Sequence, residues 1–149
     1  MHRLPAIAPA LVFMMLTAGV VACHKASPGP VSPAASGDVT AQIDQGKQLY
    51  VEKCAKCHGD GGQGTDKGPP VVGKDAFPQK PRSGAKRDVE FHTAADVFAW
   101  ATKHMPGDAP GSLETDQYLA IFAFDLTANG IKLDKPLDGP AAQAIVLHP

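Results

Sequence analysis

Two cysteines three positions apart, with a histidine directly after the second, constrain this 149-residue chain more than any other feature. The run is Cys54-Ala55-Lys56-Cys57-His58. Two thiols at that spacing can add to the two vinyl groups along one edge of a porphyrin, and the next residue then places an imidazole under the iron as the proximal axial ligand. A chain committed to this chemistry folds around a flat, largely apolar group. Thioether bonds make the attachment permanent, which suits a protein working outside the cell.

Three other uses of the same residues compete. A structural zinc site wants four N or S ligands in a closed shell, and the adjacent Cys57 and His58 are poorly placed to share a metal. A thioredoxin-like dithiol needs a βαβ setting, and no alternating strand pattern of useful length occurs. The third alternative is a structural disulfide in an oxidising compartment. The complete pentapeptide favours haem over all three.

The second axial position decides what such an iron does. Met1, Met14 and Met15 lie in an N-terminal segment with the marks of a leader, so Met105 is the one methionine of the mature chain. It follows a helical run and precedes Pro106, which fixes its own φ and restricts the residue before it. A thioether stabilises ferrous iron, and His/Met ligation raises the potential. A lone methionine is more often a core gap-filler. Here the haem motif tips the reading to ligation, with His104 as the runner-up ligand and His92 behind it. His24 and His148 lie in a linker and a tail.

Arg3 gives a positive start, and the uncharged run Ala10–Ala22 is too short to span a bilayer comfortably but suits a signal peptide over residues 1–22. Val20-Val21-Ala22-Cys23 resembles the bacterial lipobox, which implies a diacylglyceryl group on Cys23 and cleavage before it. Residues 23–40 then form the lipidated cysteine and a Pro/Ser/Gly-rich linker. Its 17 positions after Cys23 reach about 20 Å as coil or about 50 Å extended. The expectation is a domain on the periplasmic face of a bacterial membrane, lipid-anchored there.

Charge adds an exclusion. The formal net charge is −1, and without Arg3 the 13 remaining bases face 15 acids, a balance of −2. Nucleic-acid binding needs a clustered basic excess, so no nucleic-acid partner is expected.

The periodicities predict an all-α domain with three main helices and long loops. Ile43, Gly46, Tyr50 and Cys54 fall on one helical face, with Asp38 or Thr40 as cap. Gly59–Gly73 is too rich in Gly and Pro for regular structure. Lys74–Glu90 reads as a polar loop with one short helix. Thr93 with Asp96 forms a capping box ahead of Ala94–His104. The last helix runs from about Ser112–Thr115 to Asn129, stopped by Gly130. Its apolar middle, Tyr118–Phe124, predicts burial on most sides. Residues 131–149 read as a C-terminal extension wrapping the surface.

These residues together resemble class I cytochrome c over about Ala41 to Gly130, the expected cytochrome domain (41–130). The helix carrying Gly46 and Tyr50 before CAKCH, the Gly68-Pro69-Pro70-Val71-Val72-Gly73 loop and the Met105-Pro106 pair are each similar to that family's features. The resemblance implies the class I cytochrome c fold and one covalently bound haem c. It also implies that the Pro69 carbonyl accepts a hydrogen bond from the proximal His58, fixing its tautomer. Val71 departs from the leucine common there. The resemblance further implies that Gly46 lets the first and last helices approach closely.

The function expected is that of a monohaem, periplasmic one-electron carrier, not an enzyme. It would run between a dehydrogenase and a downstream acceptor such as a terminal oxidase. Two alternatives stand beside it: a cytochrome subunit of a periplasmic dehydrogenase complex, and a haem-based ligand sensor. The stretch from Met105 into the last helix is also similar to cytochrome subunits that accompany periplasmic dehydrogenases. Lys56, flanking the haem edge, would help dock an acidic partner.

Overall fold

Helix α1, Val39–Lys53, begins where the Asp38 side chain accepts a hydrogen bond from the Thr40 backbone N–H at 2.8 Å, satisfying one of the orphan donors of a first turn. Asp38 rather than Thr40 is therefore the cap, and the helix starts within the stretch read as linker. The computed structural model describes residues 37–148. The leader and its Cys23, the expected linker up to residue 36, His24 and the first three methionines lie outside the described residues.

Four further helices follow: α2 (Ala55–His58), α3 (Ala94–His104), α4 (Thr115–Ala128) and α5 (Gly139–Ala144). Among the described residues there is no named strand, only one isolated antiparallel bridge between Thr93 and Val146. The architecture is the expected all-α one, with α1, α3 and α4 as its three main helices. No helix among these residues is long and apolar enough to cross a membrane.

The central contact is α1 against α4. A Cβ placed on Gly46 would sit 1.9 Å from the carbonyl oxygen of Ala120, so only glycine lets the two backbones meet this closely. α4 is apolar nearly all round because it serves two cores. Ala120 and Ile121 pack with Leu49, Tyr50 and Ala55 on one side. Phe122, Ala123 and Leu126 pack with Phe91, Val97 and Ala101 of the α3 region on the other.

Capping residues fix where helices start. Thr93 and Asp96 form the expected capping box of α3, with the Asp96 carboxylate accepting from Thr93 N–H at 2.8 Å and the Thr93 hydroxyl accepting from Asp96 N–H. At α4 a second capping box pairs Glu114 with Gln117. At its other end the chain turns away at Gly130, with φ of +82°.

Two regions differ from the sequence reading. Lys74–Glu90 holds turns and bends but no helix. It is organised instead by Arg87, which is buried and donates to the carbonyls of Pro78, Gln79 and Val89 while lying 3.8 Å over the Phe91 ring. The C-terminal stretch is not a surface wrap. Leu137 and Ala142 are fully buried in the main core, α5 packs on α3, and the Gln42 side-chain amide both donates to and accepts from the Leu137 backbone.

Candidate functional site

The cysteine motif occupies the joint between α1 and α2. The Cys54 N–H ends α1 by bonding Tyr50 O, and the Cys54 carbonyl then accepts from Cys57 N–H at 3.1 Å and His58 N–H at 2.9 Å. One tight turn thus carries both thiols and the imidazole. The loop that follows is tied back to it at several points. The Gly64 N–H bonds His58 O at 2.7 Å, the Thr65 hydroxyl donates to Cys57 O at 2.5 Å, and the buried Tyr50 hydroxyl donates to Gly59 O at 2.8 Å.

Cys54, Cys57 and His58 line a cavity of about 660 Å³, within the size range of small-molecule and cofactor sites. Met105, at the far end of α3, lines the same cavity, and Phe77, Phe91, Val97, Ile121 and Phe122 supply apolar wall. The Met105 backbone is fixed at both ends. Its N–H bonds Ala101 O at 2.8 Å, and its carbonyl accepts from the Tyr118 hydroxyl at 2.5 Å and from Gly111 N–H. Tyr118 comes from α4, so that helix braces the loop that presents the methionine. Nothing in the sequence singled out Tyr118 for that task.

The other histidines are differently engaged. His104 also lines the cavity, but its ring stacks on Trp100 with centroids 4.5 Å apart and its Nδ1 is bound to Trp100 O at 2.7 Å. His92 bonds the Gln79 side chain and lies beside Glu90, away from the cavity lining. His148 reaches Phe77 O.

His58 Nδ1 lies 2.7 Å from the Pro69 carbonyl oxygen. A carbonyl can only accept, so Nδ1 carries a proton, and in the neutral ring the lone pair is on Nε2. Gly68 makes room for this approach: a Cβ there would come within 2.9 Å of Cys57 O and 3.2 Å of His58 Nδ1.

These residues fit a covalently held haem: two free thiols on one turn, a tautomer-fixed imidazole beside them, a thioether on the same cavity, and apolar walls. They fit the rival readings poorly. Among the described residues no strand supplies the βαβ setting of a thioredoxin-like dithiol, and burial pushes the Cys54 thiol up to about 12. Among the described residues no three His, Cys, Asp or Glu side chains converge as a metal cluster.

Electrostatics divide the cavity from its mouth. Inside, Asp125 of α4 is 5% exposed and its Oδ1 has no hydrogen-bond partner, and burial raises its carboxyl well above the ordinary range. Around the cavity stand Lys53, Lys56, Lys67, Arg82, Lys86 and Lys103, besides the buried Arg87, against two acids, Asp108 and Asp125. The whole chain has 14 bases and 15 acids, so its basic charge is concentrated here. The Lys56–Asp108 pair is 3.9 Å apart and mostly solvated, so it offsets little of that charge.

Residues 41–124 match the family described as cytochrome c oxidase, cbb3-type, subunit III. A 40-residue stretch is 55% identical to the thiosulfate dehydrogenase of Stutzerimonas stutzeri (strain A1501), covering 24% of this chain and 13% of that protein. The crystal structure of the sulfane dehydrogenase SoxCD from Paracoccus pantotrophus includes a chain that superposes with a TM-score of 0.55 at 29% identity. That match covers 70% of the present chain and 52% of the SoxCD one. The present chain therefore spans about half the length of the SoxCD chain and a smaller part of the thiosulfate dehydrogenase.

Proposed function

Because the chain belongs to this c-type cytochrome family and has the all-α fold of a class I cytochrome c, we propose that it is a monohaem one-electron carrier serving a periplasmic dehydrogenase. The observation that carries the reading is the convergence of the CAKCH turn and Met105, from separate helices, on one apolar cavity. Cys54 and Cys57 would hold the haem c through thioethers, His58 and Met105 would bind its iron, and Pro69 would orient His58. The bound haem supplies reversible one-electron exchange between ferric and ferrous iron. The chain's own residues do the rest. The Pro69 carbonyl holds the Nδ1 proton, Tyr118 and Ala101 brace the loop carrying Met105, and aromatic side chains form part of the cavity wall.

If His58 and Met105 both held the haem iron, a substrate would find no open position there, which favours a carrier over an enzyme or a sensor. Carbon monoxide added to the reduced protein tests this. A carrier binds it slowly or not at all; rapid stoichiometric binding would support the sensor reading instead.

The likeness to a chain of the SoxCD sulfane dehydrogenase supports a second reading, in which the protein is the cytochrome subunit of a dehydrogenase complex rather than a freely exchanging carrier. Co-purification with a dehydrogenase under mild detergent separates the two. In either case the basic mouth suits an acidic face on the partner, with Lys56 among the docking residues, and the downstream acceptor would be a protein such as a terminal oxidase. The lipobox-like run ending at Cys23 supports a lipid anchor that keeps the domain at the periplasmic face of the membrane.

A further inference from the structure

The segment that presents the Pro69 carbonyl to His58 is short of means to hold itself. Pro69 and Pro70 have no backbone N–H, so neither can tie the chain down from within. The first donors beyond them are Val71 and Val72, whose N–H groups both reach Gly62 O, at 2.8 and 2.9 Å. On the near side, Gly68 O accepts from Thr65 N–H at 2.9 Å. All of these bonds stay within the loop that follows the cysteine motif.

Besides its bonds to α1 and to the cysteine turn, this loop is held from the end of α4 by one side chain. The Asn129 side chain accepts from Gly73 N–H through Oδ1 at 3.0 Å and donates through Nδ2 to Val71 O at 2.8 Å. Nδ2 also donates to Asp125 O, the helix carbonyl one turn back, at 2.8 Å. The orientation of the amide is fixed by its partners, since Gly73 N–H can only donate and both carbonyls can only accept. An asparagine at a helix terminus commonly just ends the helix. Here its backbone N–H already does so, bonding Asp125 O and Leu126 O, and the side chain is free for the loop.

We propose that Asn129 is a positioning residue for the proximal histidine. It clamps Val71 and Gly73 to the end of α4, and so sets the distance from Pro69 O to His58 Nδ1. This rests on the reading of His58 as the iron ligand. A hydrogen bond from Nδ1–H to a carbonyl raises the basicity of a ligating imidazole and stabilises the more highly charged metal. Loosening the clamp therefore weakens that bond, makes the imidazole a poorer donor and raises the reduction potential.

The test uses holoprotein with Asn129→Ala, Asn129→Asp and Gly130→Ala. Gly130→Ala strains the same helix end, where φ is +82°, but removes no bond to the loop. The readouts are the reduction potential and the NMR resonance of His58 Nδ1–H. Asn129→Ala should raise the potential and speed exchange of that proton. Asn129→Asp, which keeps an acceptor for Gly73 but no donor for Val71, should fall between, and Gly130→Ala should leave both readouts in place. The proposal is overturned if Asn129→Ala matches wild type, or if Gly130→Ala shifts both readouts as much. Should Asn129→Ala not fold, the comparison of Asn129→Asp with Gly130→Ala decides in the same way. If the wild type shows no iron-bound imidazole at all, it is the haem-ligand reading that fails, and this inference with it.

Discussion

The carbonyl oxygen of Pro69 lies 2.7 Å from Nδ1 of His58, eleven residues away along the chain. That one bond joins the turn carrying the cysteines to the Gly/Pro-rich loop after it and settles which imidazole nitrogen is free. Around it, α1 supplies the turn, α4 braces the distal methionine loop through Tyr118, and the two helices meet at Gly46. The site thus lies beside the α1–α4 crossing.

Replacing Met105 by Ala should abolish the weak far-red sulfur–iron charge-transfer band of the ferric protein and lower the potential. The drop should be on the order of 0.1 V, inside the roughly 0.8 V range that axial ligation spans. Absorption spectroscopy and redox titration check both. An unchanged band would rule out Met105 and direct attention to His104.

Gly46→Ala tests the helix crossing. Alanine is the better helix former by about 1 kcal/mol. Its methyl, however, would sit 1.9 Å from Ala120 O, a backbone atom that cannot rotate away. Separating α1 from α4 should make the substitution destabilising by about 1–3 kcal/mol or more, measured by chemical denaturation of the holoprotein. A neutral or stabilising result would mean that the close approach is wrong.

Asp125 predicts a pH dependence. Its carboxyl is raised above the ordinary 3.8 by burial, so the folded state holds the proton more tightly than the unfolded state does. Below 3.8 both states are protonated and there is no cost. As pH rises past that value the unfolded chain ionises and stability falls, until the folded carboxyl also ionises. Asp125→Asn should therefore be more stable than wild type at about pH 8, by about 1–3 kcal/mol, with the advantage shrinking toward about pH 4. An advantage that is constant across that range would count against the assignment.

The basic mouth predicts how small reagents react. At low ionic strength an anionic one-electron oxidant should outpace a cationic one of matched potential, and the difference should shrink by about tenfold or more as salt is raised from about 0.01 M to 1 M. The net charge of −1 predicts the opposite order. Lys56→Glu should reduce the preference. Preference for the cationic reagent would show that electrons do not pass at this face.

The legible parts of the molecule were those with fixed local spacing. The capping box at Thr93 and Asp96 and the α4 apolar run each depend on a few residues within a turn or two. So does the turn that holds both cysteines and His58. The close approach at Gly46 to Ala120, by contrast, followed only from the family resemblance. The remainder depended on long-range geometry. Leu137 and Ala142 are buried singly in a stretch with no apolar period, so residues 131–149 looked like surface. Arg87 stood among solvated bases, and nothing local showed that three carbonyls would surround it. Asn129 read as a helix end because its loop partners lie 56 and 58 positions away.

Covalent attachment of the haem is measured directly by intact-mass and peptide mass spectrometry of the protein. The expected result is the mass of one haem added to the chain and retained after denaturation, with the modification on the peptide holding Cys54 and Cys57, and little folded holoprotein recovered from Cys57→Ala. A correctly exported product without porphyrin, its two thiols free or joined to each other, would contradict it.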